Sequence, residues 1–308
     1  MKSFTIRNYN GIEITAIQTG ASLISIKTQN RSNEFQNIIL AYPKIEDYDA
    51  NLDYLGCVVG RHASRIKDSA FTIDGKRYIL SKNEGMNHLH GGIFGWHQKI
   101  WDLRDQGINF LEFSTTSFDG EEGYPGEVTV YVKYTLNDQD QLLINYRATT
   151  TKATHVNLTQ HTYFNLNGNM DQAIDSDFLE INSKAYLNCD EDKIPTGEII
   201  QFSFKNQMIG KTAYDQTWIL ENNSKALVFA AALSNKASGR ILNVYTTEPS
   251  IHLYTGDGLK KPFNKRVGVC LETQHYPNSP NLAKFPSTRL NPEDSFESLT
   301  VWEFKVLK

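Results

Sequence analysis

Glu127-Val-Thr-Val-Tyr-Val-Lys-Tyr-Thr-Leu136 carries apolar or aromatic side chains at every even position, Val128, Val130, Val132, Tyr134 and Leu136, with Thr129, Lys133 and Thr135 between them. A period of two is the signature of a strand with one buried face and one wetted face. Similar β-rich runs recur at 12–27, 110–116, 142–150, 178–181, 242–246, 251–255, 267–273 and 300–306. Pairs such as Asp74-Gly75, Asn167-Gly168 and Asp257-Gly258 separate them and suit hairpins or tight turns. Stretches with a helical period are nearly absent; the alanines of 225–233 fit a helix or a strand. The pattern predicts an all-β protein with sheet packed on sheet.

Its length of 308 residues fits one large β domain or two smaller units. No linker, repeat or low-complexity tract divides it, so one domain over 1–308 is expected. The formal charge of −4 is scattered, which argues against nucleic acid or an anionic membrane surface as partner. The three cysteines, Cys57, Cys189 and Cys270, are odd in number and far apart, as expected of free thiols in a reducing compartment. With neither a signal-like apolar run at the start nor a membrane-length apolar segment, a cytoplasmic protein is expected.

Three blocks carry groups able to do chemistry. In Asn87-His88-Leu89-His90-Gly91-Gly92, an extended backbone turns both imidazoles to one face, where they suit proton transfer or metal binding. A metal needs further ligands, and the next carboxylates, Asp102, Asp105 and Glu112, stand at no recognised spacing, so no metal is expected. The second block, 154–166, packs His155, Asn157, Gln160, His161, Tyr163 and Asn165 into a β-like run. It is either a polar strand facing solvent or a wall that meets a polyhydroxylated ligand. In the third, Cys270-Leu-Glu-Thr-Gln-His-Tyr-Pro-Asn278, Glu272 ends an apolar strand and is either exposed at its tip or desolvated as a base. Ile209-Gly210-Lys211-Thr212 lacks the leading glycine of a phosphate loop, because position 205 is Lys, and no nucleophile-elbow or zinc-protease motif occurs.

Together, Gly60-Arg-His-Ala-Ser-Arg-Ile66, the block at 87–92, Val156–Leu166, Tyr214-Asp215 and Leu271–Asn278 closely resemble the aldose 1-epimerases, also called galactose mutarotases. The five blocks keep the family's order from about residue 56 to 281. The resemblance implies a single-domain β-sandwich of the mutarotase (supersandwich) type that interconverts the α and β anomers of free hexoses such as galactose and glucose without a cofactor. It implies Glu272 as general base on the C1 hydroxyl, His161 as general acid at the ring oxygen and His90 as a second histidine near that oxygen. Arg65 and Asp215 would position sugar hydroxyls, with Tyr163 in the pocket wall; composition alone suggests Trp96 as a stacking surface. Two departures bear on substrate contacts: Ser64 stands where the family usually has Asn, and Gln216-Thr217 follows Tyr214-Asp215 where His-Asn is usual. A hexose-phosphate epimerase and a non-catalytic sugar binder are the alternatives, and the chain is expected to be a monomer or homodimer.

Overall fold

The computed structural model describes residues 2–222 and 225–307. It is all-β, and its helical elements are short 3₁₀ turns. A nine-stranded antiparallel sheet runs in the order Asp102–Gln106, Phe110–Ser117, Val128–Leu136, Gln141–Thr150, Phe296–Val306, Arg240–Thr246, Val228–Ser234, Phe178–Ile181 and Gln207–Met208. A six-stranded sheet orders Tyr163–Phe164, Val269–Gln274, Ser250–Tyr254, Asp215–Leu220, Ser183–Cys189 and Pro195–Gln201. A four-stranded sheet is built from the N-terminal strands Ser3–Arg7, Glu13–Ile17, Leu23–Gln29 and Phe35–Asn37.

The period-two pattern is realised directly. Along Val128–Leu136 buried and half-buried residues alternate, and Val128, Val130, Val132, Tyr134 and Leu136 all enter the main core. The same cluster holds Ile251, Leu253, Val269 and Leu271 from the six-stranded sheet and Ile6, Ile14, Leu23 and Ile26 from the N-terminal sheet. Phe164 meets Trp302 edge-on across the two large sheets, with ring centroids 4.8 Å apart. Two runs of the sequence resolve into definite elements. The run 12–27 is two strands, because Gly20 takes a left-handed conformation and the Ile17 N–H closes the turn onto the Ser22 carbonyl. The run 225–233, which fits a helix or a strand by sequence, enters a strand at Val228–Ser234, and Ala230, Ala231 and Leu233 of that strand are buried in the core. Asp74-Gly75 is a two-residue hairpin turn with both residues at positive φ.

One face of the six-stranded sheet carries the core, so the opposite face is available for a site. In register across three strands, Glu272 lies opposite His252 and His252 opposite Thr217. In the next row Tyr163 pairs with Cys270, Cys270 with Tyr254 and Tyr254 with Asp215. Alternation along each strand thus sends Ile251, Leu253, Val269 and Leu271 inward and His252, Tyr254, Cys270 and Glu272 to the other side.

Loops from 52–65 and 81–97 close over that face. Arg61 anchors the first of these loops to the segment 117–126: its buried guanidinium donates to the carbonyls of Ser117, Phe118, Pro125 and Gly126 and to Ser117 Oγ. Gly91, at φ 86°, packs directly on the Gly60–Arg61 backbone, where a Cβ would overlap the Gly60 carbonyl. Gly91→Ala therefore combines a strained φ with a backbone clash, and should lower stability by roughly 2–4 kcal/mol, read as a fall in melting temperature of several degrees. A melting temperature equal to that of the unaltered protein would contradict this packing.

Candidate active site

Between the sheet face and the loops lies a cleft of about 210 Å³. Its lining includes five of the six site residues singled out beside Glu272, namely Arg65, His90, His161, Tyr163 and Asp215, together with Glu272 itself. Glu272 is 2% exposed, so the desolvated reading of the sequence holds and the exposed one does not. Its Oε1 lies 3.8 Å from His161 Nε2, and its Oε2 has no hydrogen-bond partner. A buried carboxylate oxygen left unpaired is costly unless a ligand hydrogen arrives to meet it.

The two histidines of the 87–92 block do not share a face. Only His88–Leu89 is strand; His90 takes a left-handed conformation, φ 52°, which ends the alternation and sends its ring elsewhere. His88 points away from the cleft and is fully used: Nδ1–H donates to the Ser81 carbonyl at 2.8 Å, and Nε2 accepts from the Tyr124 hydroxyl at 2.8 Å. His90 faces the cleft, and its Nδ1 accepts the backbone N–H of Ser64 at 3.1 Å. Burial, reinforced by the neighbouring charges of His161 and Arg65, pushes the His90 imidazole well below its ordinary range. A neutral ring whose Nδ1 is an acceptor carries its hydrogen on Nε2, so His90 presents an N–H donor to the cleft.

That tautomer bears on metal binding. His90, His161 and Glu272 offer ligand atoms within 4.8 Å of one another, a set that distance alone would admit as a metal site. A ligating histidine normally gives its other ring N–H to an acceptor. Here the other nitrogen of His90 is itself the acceptor, so the nitrogen facing the cleft has no lone pair for an ion. The donor set does not fit a resident metal.

A charged network forms the opposite wall. Arg65 Nε and Nη2 donate to the two oxygens of Glu84 at 2.7 and 2.8 Å, and Nη1 stands 3.7 Å from Asp215 Oδ1. His252 links Asp215 Oδ1, at 3.0 Å from Nε2, to Thr217 Oγ1, at 2.8 Å from Nδ1. Burial works against the Asp215 anion, but the His252 hydrogen bond and charge and the Arg65 charge outweigh it and hold the carboxyl well below the usual range. Tyr54 is the aromatic floor: its ring centroid lies 4.7 Å from that of His90, 4.6 Å from that of His97 and 5.7 Å from that of His161.

Several expectations change at this point. Trp96 is no stacking surface; it is buried in the core, its ring against Gly60 and edge-on to Trp101. The polar block 154–166 is neither solvent-facing nor mostly ligand-facing. Asn157 joins Ala63 to His275 through backbone groups, Asn165 donates to the carbonyls of Asn169, Gln172 and Val267, and Gln160 meets the Gly56 carbonyl and the hydroxyls of Tyr134 and Tyr146. From this block only His161 and Tyr163 line the cleft. Of the family departures, Gln216 donates to the Leu187 carbonyl outside the cleft, Thr217 supports His252, and Ser64 supports His90 through its backbone. Sequence reading missed His252, Tyr54, Glu84 and Asp53, all in the lining. For His252 a signal existed, a lone histidine between Ile251 and Leu253 in an apolar strand; the other three stand in irregular loops.

The model of the aldose 1-epimerase family matches residues 2–302. The chain is 37% identical over 316 residues to the galactose mutarotase of Homo sapiens, covering 96% of this chain and 92% of that protein. It is 31% identical over 326 residues to the aldose 1-epimerase of Escherichia coli strain K12, with 97% and 94% covered. Among solved structures, an aldose epimerase homologue from C. elegans superposes with a TM-score of 0.94 at 27% identity, covering 100% of this chain and 99% of that one. A galactose 1-epimerase from Lactobacillus acidophilus gives 0.86 at 26% identity, with 99% and 94% covered. With the fold, the cleft and these likenesses in agreement, the chain belongs to the aldose 1-epimerase family.

Proposed function

We propose that this protein is an aldose 1-epimerase that interconverts the α and β anomers of free hexoses such as galactose and glucose. The observation that carries the reading is the buried Glu272 carboxylate, one oxygen unpartnered, facing His161 across 3.8 Å in a cleft otherwise rich in hydrogen-bonding groups. Glu272 takes the proton of the C1 hydroxyl while the C1–O5 bond breaks and O5 receives a proton from His161 Nε2. Rotation about C1–C2 exposes the other face of the aldehyde. O5 then attacks C1 and returns its proton to His161, and Glu272 returns its own to O1. Protons and electrons balance with no metal, nucleotide or covalent intermediate.

His90 assists by donating its Nε2–H toward the ring-oxygen region, where negative charge grows as the ring opens. Arg65, Asp215 and His252 hold the sugar hydroxyls, and Tyr163 closes the wall. A phosphorylated hexose is disfavoured, because the lining sets four carboxylates, Asp53, Glu84, Asp215 and Glu272, against one guanidinium already engaged by Glu84. A pure sugar binder would have no use for an acid and a base facing each other. No described helix is long and apolar enough to cross a membrane. The same reading takes the chain as one domain, a monomer or homodimer in the cytoplasm. Its unpaired cysteines, two of them buried, favour a reducing compartment.

Freshly dissolved α-D-galactose or α-D-glucose should reach its equilibrium optical rotation faster with the purified protein, equally with and without EDTA, and galactose 6-phosphate should respond poorly. No acceleration with any free aldose would refute the enzyme reading, and loss of activity in EDTA would refute the metal-free mechanism. Glu272→Gln keeps the shape but not the basicity. It should cut kcat by about 10²- to 10⁴-fold while galactose affinity by calorimetry changes less than about tenfold. Near-normal turnover in that variant would remove Glu272 as the base.

A further inference from the structure

His161 has two ring nitrogens with different neighbours. Nε2 looks toward Glu272, and Nδ1 lies 3.6 Å from the sulfur of Cys270. Cys270 precedes Glu272 by two residues on Val269–Gln274, so both side chains leave the same face of the sheet. Among the described residues the thiol is the one hydrogen-bond partner of Nδ1. The ionisable groups around the ring are Glu272, His90, His97, Asp53, Tyr54 and Tyr163, together with Cys270 itself. Cys270 is completely buried; desolvation, reinforced by the Glu272 charge, pushes the thiol well above its ordinary value, so it stays an uncharged S–H.

We propose that Cys270 is a positioning residue for His161, its sulfur accepting the Nδ1–H in both charge states of the ring so that proton exchange is confined to Nε2. The proposal rests on the anomer-interconversion reading, in which one nitrogen must give a proton to O5 and later take it back. If Nδ1 lost its hydrogen instead, the remaining Nε2–H would belong to a neutral ring, too weak an acid to give it up and unable to accept another. A carboxylate beside Nδ1 would fix the orientation but stabilise the imidazolium, weakening it as an acid. With no neighbour at all, the tautomer would be unset. A buried thiol is a weak, uncharged acceptor that orients the ring at little electrostatic effect. The sulfur neither gains nor loses a proton in the cycle.

The direct test is long-range ¹H–¹⁵N NMR of the His161 ring in sugar-free protein, at a pH where the ring is neutral. The expected spectrum has a protonated Nδ1 and an unprotonated Nε2. A neutral ring protonated at Nε2 would overturn the proposal, since the thiol would then be donor rather than acceptor. In parallel, Cys270→Ser supplies a stronger acceptor and Cys270→Ala none. The alkaline limb of kcat/KM should move up for Ser and down for Ala, by about half a pH unit each, with KM little changed. Limbs unmoved in both variants, with only melting temperature lowered, would reduce Cys270 to packing and overturn it. Because the spectrum needs no turnover, failure of the unaltered protein to interconvert anomers would count against the enzyme reading, and the wrong tautomer against Cys270.

Discussion

The half-partnered, buried carboxylate of Glu272 is the constraint around which the rest of the molecule is arranged. An ionisable group at 2% exposure with one oxygen unpaired is not a feature a β-sheet acquires for stability. It is held there by register. Its strand neighbour Leu271 points into the sandwich core while Glu272 points into the cleft, and a one-residue slip against Ser250–Tyr254 would exchange the two faces. The core residues Ile251, Leu253, Val269 and Leu271 forbid that slip by the apolar area they would expose. The sandwich core and the site are therefore fixed by the same alternation, read on opposite faces.

The loops supply what the sheet face lacks. Ser64 and His90 bond reciprocally, Ser64 N–H to His90 Nδ1 and His90 N–H to the Ser64 carbonyl, so two left-handed residues hold each other and set a ring tautomer. That tautomer turns His90 into a donor and removes it as a metal ligand. On the far wall, Arg65 is hydrogen-bonded to Glu84 and His252 to Asp215, and a 3.7 Å ion pair between Arg65 and Asp215 joins the two pairs into one network. In the proposed reaction the cleft separates orientation from proton transfer: charge clamps at one end, a carboxylate and an imidazole at the other.

Much of this was legible in the sequence, for identifiable reasons. Val128–Leu136 announced its buried face because a half-buried strand must alternate, and the core uses the residues that alternation selects. Glu272 and His161 stood out through the resemblance of whole blocks, since nothing in the spacing of residues 161 and 272 brings them together; that takes the pairing of Tyr163–Phe164 with Val269–Gln274. The errors have separate physical causes. The i, i+2 rule failed at His90 because a left-handed residue interrupts the strand, and Trp96 was misread because a large aromatic beside a motif says nothing of which side it packs on. The polar block 154–166 was ambiguous because its amides satisfy distant backbone groups, a use of polarity that no local pattern reveals. His252 and Glu84 act through partners remote in sequence, Asp215 and Arg65.

A crystal structure with galactose bound would show whether the cleft holds a hexose with its C1 hydroxyl on Glu272 and its ring oxygen on His161. O1 should lie within hydrogen-bond distance of the Glu272 carboxylate, filling the place opposite the unpartnered oxygen, and O5 within reach of His161 Nε2 with His90 Nε2 beside it. A sugar bound with C1 directed toward Arg65 and Asp215, and with Glu272 still unpartnered, would contradict this placement.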